Sequence, residues 1–118
     1  MRVITGTARG RRLKELEGME TRPTTGKVKE SLFSIIQFDI EGRRVLDLFA
    51  GTGQLGIEAL SRGARQCVFI DQRNDAVKLI RENLDVCGLT DRAVVRSGDA
   101  MAYLKSGEKF DLIFLDPP

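Results

Sequence analysis

The chemistry in this sequence centres on a run of glycines and the acids around it. Asp47 stands four residues before Gly51, and Gly51, Gly53 and Gly56 keep a G-x-G-x-x-G spacing. Asp71 follows Gly51 by twenty residues. Glycines so placed let a ligand approach the backbone, and an acid at that distance accepts hydrogen bonds from ribose hydroxyls. A tight strand-to-helix turn alone gives the same spacing, so the preceding strand and the following acid carry the argument for a nucleoside cofactor. Asp47 narrows the cofactor class. A carboxylate at the lip of the turn repels a pyrophosphate and suits the cationic amino and sulfonium groups of S-adenosylmethionine. Asp99, in Ser97-Gly98-Asp99-Ala100, either accepts from an adenine amino group or caps the helix that follows. Acids at three successive strand ends fit S-adenosylmethionine better than NAD, which leaves an NAD(P)-dependent enzyme as the weaker alternative.

A further acid closes the last apolar run, in Asp116-Pro117-Pro118. Pro–Pro cannot continue a strand ladder, so a polar turn is the plain reading. The chemical reading is that proline fixes the backbone so that the Asp116 carboxylate and the Pro117 carbonyl both face a cleft. Two acceptors there hold the two hydrogens of an exocyclic amino group and localise its lone pair for in-line attack on a methyl group.

These residues need a scaffold, and the apolar periodicity supplies one. Strands are expected at Val45–Phe49, Cys67–Ile70, Ala93–Val95 and Phe110–Leu115, the last apolar enough to be buried on both faces. Between them come a helix through Ile57, Leu60 and Ser61 stopped by Gly63, and a helix with Ala76, Ile80, Leu84 and Cys87 on one face stopped by Gly88. Ala100–Leu104 is a short third helix. Strands alternating with helices argue an α/β fold with a parallel sheet and right-handed crossovers, whose ligands bind beyond the carboxyl ends of the strands. Ahead of this unit, Arg2–Thr5 and Arg11–Leu13 read as a hairpin. Thr24 or Thr25 caps a helix whose apolar face is Val28, Leu32, Ile35 and Ile36.

Composition excludes several classes. The 118 residues hold one domain, and 42% hydrophobic with 31% charged residues is a globular composition. There is no His, which removes His-based triads and bases, and the two Cys, Cys67 and Cys87, make neither a disulfide framework nor a zinc site, so no metal is expected. No apolar run approaches a membrane span of about 18 residues, and MRVIT is too short and polar for a signal peptide, so a cytoplasmic protein without a membrane partner is expected. The net charge of +2 is uneven. Residues 1–29 carry eight Lys/Arg against three acids, concentrated in Arg9, Arg11, Arg12 and Lys14, then Arg22, Lys27 and Lys29. A basic block ahead of a slightly acidic body suits a polyanion such as RNA or DNA.

Together these stretches resemble the RsmD family of bacterial small-subunit ribosomal RNA guanine-N2 methyltransferases. The resemblance runs through MRVITGTARGRRLK, TRPTTGKVKESLFSII, VLDLFAGTGQLGIEALSRGA and KFDLIFLDPP. It implies a Rossmann-like class I S-adenosylmethionine-dependent methyltransferase, with a basic N-terminal hairpin over 1–22 and a methyltransferase domain over 23–118. It implies that Asp47, Phe49, Ala50, Gly51 and Gly53 form the first cofactor motif, that Asp71 holds the ribose, that Gln72 is also a cofactor-binding residue, and that Asp99 with Ala100 meets the adenine. Thr24, in Arg22-Pro23-Thr24, would close over cofactor and target. Asp116 and Pro117 match the catalytic D/N-P-P-Y/F motif, and Arg9, Arg11, Arg12, Lys14, Arg22 and Lys27 would bind 16S rRNA or a small-subunit particle. The chain stops before the motif's aromatic residue, so a fragment of a longer, active parent is expected, with the fourth strand an apolar edge prone to self-association. A non-catalytic RNA-binding module, or an N-methyltransferase acting on adenine in DNA or glutamine in protein, are the alternatives.

Overall fold

Short apolar runs pair side by side into one parallel sheet. The computed structural model describes residues 1–16 and 26–117, so Arg22, Thr24, Thr25 and Pro118 lie outside the described residues. The strands are β1 (Arg44–Leu48), β2 (Gln66–Asp71), β3 (Ala93–Ser97) and β4 (Leu112–Leu115), in the order β3-β2-β1-β4. The helices are α1 (Gly26–Ile36), α2 (Gln54–Ser61), α3 (Asn74–Cys87) and α4 (Ala100–Leu104). The chain steps outward from β1 through β2 to β3, then returns across the sheet to place β4 on the other side of β1. Its direction therefore reverses between β1 and β4, and in open parallel sheets a ligand crevice forms beyond the carboxyl ends of the strands at such a point.

Strand alternation assigns the two faces. Val45, Cys67, Phe69 and Phe114 enter the larger core with Ile57, Ala59 and Leu60 of α2 and Ile80 and Leu84 of α3. Leu46, Leu48, Val68 and Ile70 point the other way, against Ala100 of α4, Tyr103 and Phe110. Gly56 sets how closely α2 lies on the sheet, since a Cβ there would stand 2.4 Å from the Phe69 ring and 2.7 Å from the Cys67 sulfur. That is the packing role of the third glycine in the fingerprint.

The elements follow the sequence pattern with three corrections. First, the expected hairpin strands reduce to one antiparallel bridge, Arg2 to Arg12. The Val3 N–H still donates to the Arg11 carbonyl and the Leu13 N–H to the Met1 carbonyl, each at 3.0 Å. The N–H groups of Ile4 and Thr5, however, donate to the Glu58 carboxylate instead of a partner strand. Val3, Ala8 and Leu13 thereby join the same core as the sheet.

Second, α1 is rotated from the expected apolar face. Val28 and Ile35 are exposed (57% and 79%), whereas Lys29 and Phe33 are buried. Phe33 is the reason: its ring lies 5.6 Å from that of Phe114 and 4.7 Å under the Arg62 guanidinium. Third, β4 is buried on one face only. Phe114 is inside, while Ile113 and Leu115 are 47% and 64% exposed. Among the described residues β4 pairs with β1 alone, so it forms the sheet edge expected of it, and Phe110 falls outside the strand.

Candidate functional site

The turn leaving β1 is built from unusual backbone. Phe49 holds φ +55°, Gly51 +60° and Gly53 +81° before α2 begins at Gln54. A left-handed conformation costs an aromatic residue such as Phe49 about 1 kcal/mol or more, so the surrounding bonds must hold it. The Ala50 N–H donates to the Ile70 carbonyl at 3.0 Å, and the Gly53 N–H to the Ala50 carbonyl at 2.8 Å. Asp71 adds the main restraint: one carboxylate oxygen accepts the Gly51 N–H at 2.9 Å and the other the Arg73 N–H at 2.9 Å.

Asp47 lies beneath this turn rather than at its lip. It is 2% exposed, and its Oδ2 accepts the Gly56 N–H at 3.0 Å in the first turn of α2. Burial pushes its pKa up to about 8, with the negative charges of Asp116 and Asp71 adding to the rise and the Gly56 N–H opposing it. The cationic cofactor groups assigned to Asp47 from the sequence therefore have no exposed carboxylate to meet there. Its observed contact fixes the start of α2.

The other predicted residues gather at the same edge of the sheet. Leu48 pairs in register with Leu115, so Phe49 and Asp116 leave neighbouring strands side by side. Asp71 pairs with Ser97, which brings Asp99 to the next strand end. Asp99 is the N-cap of α4, its Oδ2 accepting the Ala102 N–H at 3.0 Å, so the capping alternative is realised. Asp116 is half-buried, Pro117 and Gln72 are exposed, and Ala50 and Ala100 are buried. The set fits a nucleoside cofactor in its donor chemistry. An ionised carboxylate has about four lone-pair sites, so Asp71 keeps acceptor capacity for ribose hydroxyls after taking two backbone N–H groups.

On the hairpin, Arg9, Arg11, Arg12 and Lys14 are exposed, as is Lys27 on α1. Lys14 forms an exposed ion pair with Glu82 at 3.3 Å. Lys29 leaves the basic block: it is 1% exposed and pairs with the fully buried Glu58 at 3.2 Å. Burial pulls the Lys29 pKa below its ordinary value, against the raising effect of Glu58.

Glu58, Ser61 and Asn83 are the residues that sequence reasoning missed. The Glu58 carboxylate accepts from Ile4 N–H (2.8 Å), Thr5 N–H (3.0 Å) and Arg62 Nε (2.9 Å), and Lys29 Nζ also donates to the Arg2 carbonyl at 3.0 Å. Ser61 Oγ donates to the Thr5 carbonyl at 2.7 Å and accepts the Ala8 N–H at 2.9 Å. Asn83, also fully buried, bonds the backbone of Lys14 and Thr52. A signal was present: Glu58 interrupts an apolar stretch in which every residue of α2 is buried, and buried charges are normally paired.

A 320 Å³ hollow lined by Arg65, Gln66, Asp91 and Arg92 opens at the opposite, amino-terminal edge of the sheet. The Arg92 guanidinium is already engaged with the Leu60 and Ala64 carbonyls.

Comparison with known proteins agrees with this geometry. The family model described as "Conserved hypothetical protein 95" matches residues 1–118. The chain is 50% identical to "Putative rRNA methyltransferase YlbH" of Bacillus subtilis, covering 100% of the chain and 66% of that protein. It is 37% identical to "Ribosomal RNA small subunit methyltransferase D" of Haemophilus influenzae, covering 100% of the chain and 63% of that protein. Among solved structures, "Putative methyltransferase yhhF from Escherichia coli" superposes with a TM-score of 0.90 at 37% identity, over 100% of this chain and 64% of that one. The α/β fold is thus that of Rossmann-like class I methyltransferases, and the chain spans somewhat less than two thirds of the length of these relatives.

Proposed function

Because the chain belongs to the family described as Conserved hypothetical protein 95, we propose that the complete protein transfers a methyl group from S-adenosylmethionine to the exocyclic N2 amino group of a guanine in small-subunit ribosomal RNA. The observation that carries this reading is the register of β1 with β4. It sets the glycine turn beside Asp116-Pro117 at the point where the chain reverses across the sheet. A methyl donor bound along the turn and an amino acceptor bound at Asp116 then meet over the same strand ends.

The cofactor supplies a methyl group already activated on a sulfonium. The chain's own task is to present the nucleophile. The amine of a guanine is conjugated to its ring and is a poor nucleophile, so orientation is the larger part of catalysis. Asp116 and the Pro117 carbonyl accept its two hydrogens and leave the nitrogen lone pair aimed at the methyl carbon. As the N–C bond forms and the sulfonium C–S bond breaks, its electron pair staying on the leaving sulfur, the nitrogen would shed one proton toward the Asp116 carboxylate and on to water. Asp71, which accepts the Gly51 N–H, would hold the ribose, and Asp99 with Ala100 would border the adenine. The exposed arginines of the hairpin hold the RNA backbone.

Asp116→Ala tests the assignment. The variant should lose methyl transfer by about 100-fold or more while its affinity for S-adenosylhomocysteine stays within about twofold of the parent. Transfer at the parent rate would remove Asp116 from the mechanism.

A further inference from the structure

Asn83 joins two parts of the molecule that the proposed function uses separately. It lies on α3 with no exposed surface. Its Oδ1 accepts the Lys14 N–H at 2.8 Å, and its Nδ2 donates to the Lys14 carbonyl at 3.1 Å and to the Thr52 carbonyl at 3.0 Å. Lys14 directly follows Leu13, whose N–H bonds the Met1 carbonyl across the basic hairpin. Thr52 is the residue between Gly51 and Gly53 in the turn after β1. A single buried amide therefore bonds the backbone of the hairpin and the backbone of the glycine turn at once. The Thr52 hydroxyl makes a second link, donating to the Met1 sulfur at 3.4 Å.

We propose that Asn83 is a positioning residue that couples the hairpin to the glycine turn, so that RNA on the hairpin and the nucleoside cofactor on the turn strengthen each other's binding. This rests on the methyltransferase reading above. The amide makes its three bonds only when both segments are in place, and a buried polar group left without partners is costly. A ligand that orders either segment holds the amide in its three bonds, and the second ligand then finds its own segment already set. Coupling of this kind is reciprocal: the factor by which RNA tightens the cofactor must equal the factor by which the cofactor tightens RNA. Among the described residues the hairpin's other side-chain anchors, Glu58 and Ser61 of α2 and Lys29 of α1, bond residues 2–8 and not the turn, so the amide of Asn83 and the Thr52 hydroxyl on Met1 are the side-chain links between hairpin and turn.

Equilibrium dialysis of S-adenosylhomocysteine against the complete protein, with and without a 16S rRNA transcript, measures the coupling. In the parent protein the transcript should tighten S-adenosylhomocysteine by about fivefold or more, and S-adenosylhomocysteine should tighten the transcript by the same factor. In Asn83→Ala that factor should fall to near one, which a merely structural loss of stability would not produce. The parent protein gives a second readout that needs no variant. S-adenosylhomocysteine alone should slow hydrogen exchange of the Lys14 amide, which lies on the hairpin. Independent binding of the two ligands, an undiminished factor in Asn83→Ala, or unchanged exchange at Lys14 would each overturn the coupling alone. Failure of the complete protein to bind S-adenosylhomocysteine at all would instead overturn the methyltransferase reading and the coupling with it.

Discussion

The Asp71 carboxylate accepts the backbone N–H of Gly51 at 2.9 Å, so the acid at the end of β2 holds the glycine turn at the end of β1. The residue that the sequence assigns to a ribose thus also shapes the loop beside which the ribose would lie. Its removal should act on both. We expect Asp71→Ala to weaken S-adenosylhomocysteine by about tenfold or more, the scale of a hydrogen bond to a charged group. Titration calorimetry on the complete protein and its variant checks this, and affinity within twofold of the parent would refute it.

Lys29 and Glu58 form a buried ion pair on which the hairpin, α1 and α2 converge. Removing Glu58 leaves the enclosed Lys29 ammonium with the Arg2 carbonyl but without its carboxylate, which typically costs about 3–5 kcal/mol. Glu58→Leu should therefore lower stability by about 3 kcal/mol and Tm by roughly 10 °C, measured by thermal unfolding at neutral pH, whereas Lys29→Met, which leaves Glu58 its Arg62 partner, should cost less. Exposed ion pairs behave otherwise: Glu82→Gln, which removes the partner of Lys14, should change stability by less than about 1 kcal/mol.

That contrast shows what the sequence does and does not reveal. The sheet, its helices and the acids at the strand ends follow from period-2 and period-3.6 patterns and from glycine spacing, which are local properties. The face of α1 does not. Val28, Leu32, Ile35 and Ile36 make the better apolar stripe on paper, but the largest hydrophobe, Phe33, finds the Phe114 ring across the core and turns the helix toward it. Lys29 lies one turn before Phe33 and is carried inside, where Glu58 meets it. A lysine in a basic run gives no local sign that its partner lies in another helix. Asp47 is similar: its spacing from Gly51 is legible, but the direction of its side chain depends on Gly56 letting α2 settle onto β2.

Asp47 makes stability depend on pH. Its folded pKa is about 8, against about 3.9 for an unfolded aspartate. Between these values the folded chain binds the proton that the unfolded chain has released. Stability therefore falls as pH rises from about 4 to about 8 and levels off above that. Asp47→Asn keeps an acceptor for the Gly56 N–H and removes the titration. Urea unfolding at pH 5 and pH 8 should show the variant gaining on the parent as pH rises, and a parallel pH dependence in the two proteins would contradict the burial argument.

The exposed arginines of the hairpin should set the salt dependence of RNA binding. If Arg9, Arg11 and Arg12 each contact one phosphate of a single strand, replacing all three with alanine lowers the slope of log affinity against log salt by about 2. Lys29→Met should leave that slope unchanged, because its charge is buried against Glu58. Filter binding to a 16S rRNA transcript across a salt series distinguishes the two.

In the proposed reaction the exocyclic N2 of a guanine receives the methyl group. Small-subunit ribosomal particles from cells lacking the enzyme, incubated with the complete protein and methyl-labelled S-adenosylmethionine, can be digested to nucleosides and separated. In the proposed reaction the label appears in N2-methylguanosine, and Asp116→Ala lowers it by about 100-fold or more. Label in an adenosine, in DNA or in protein glutamine, or no incorporation into the RNA, would contradict it.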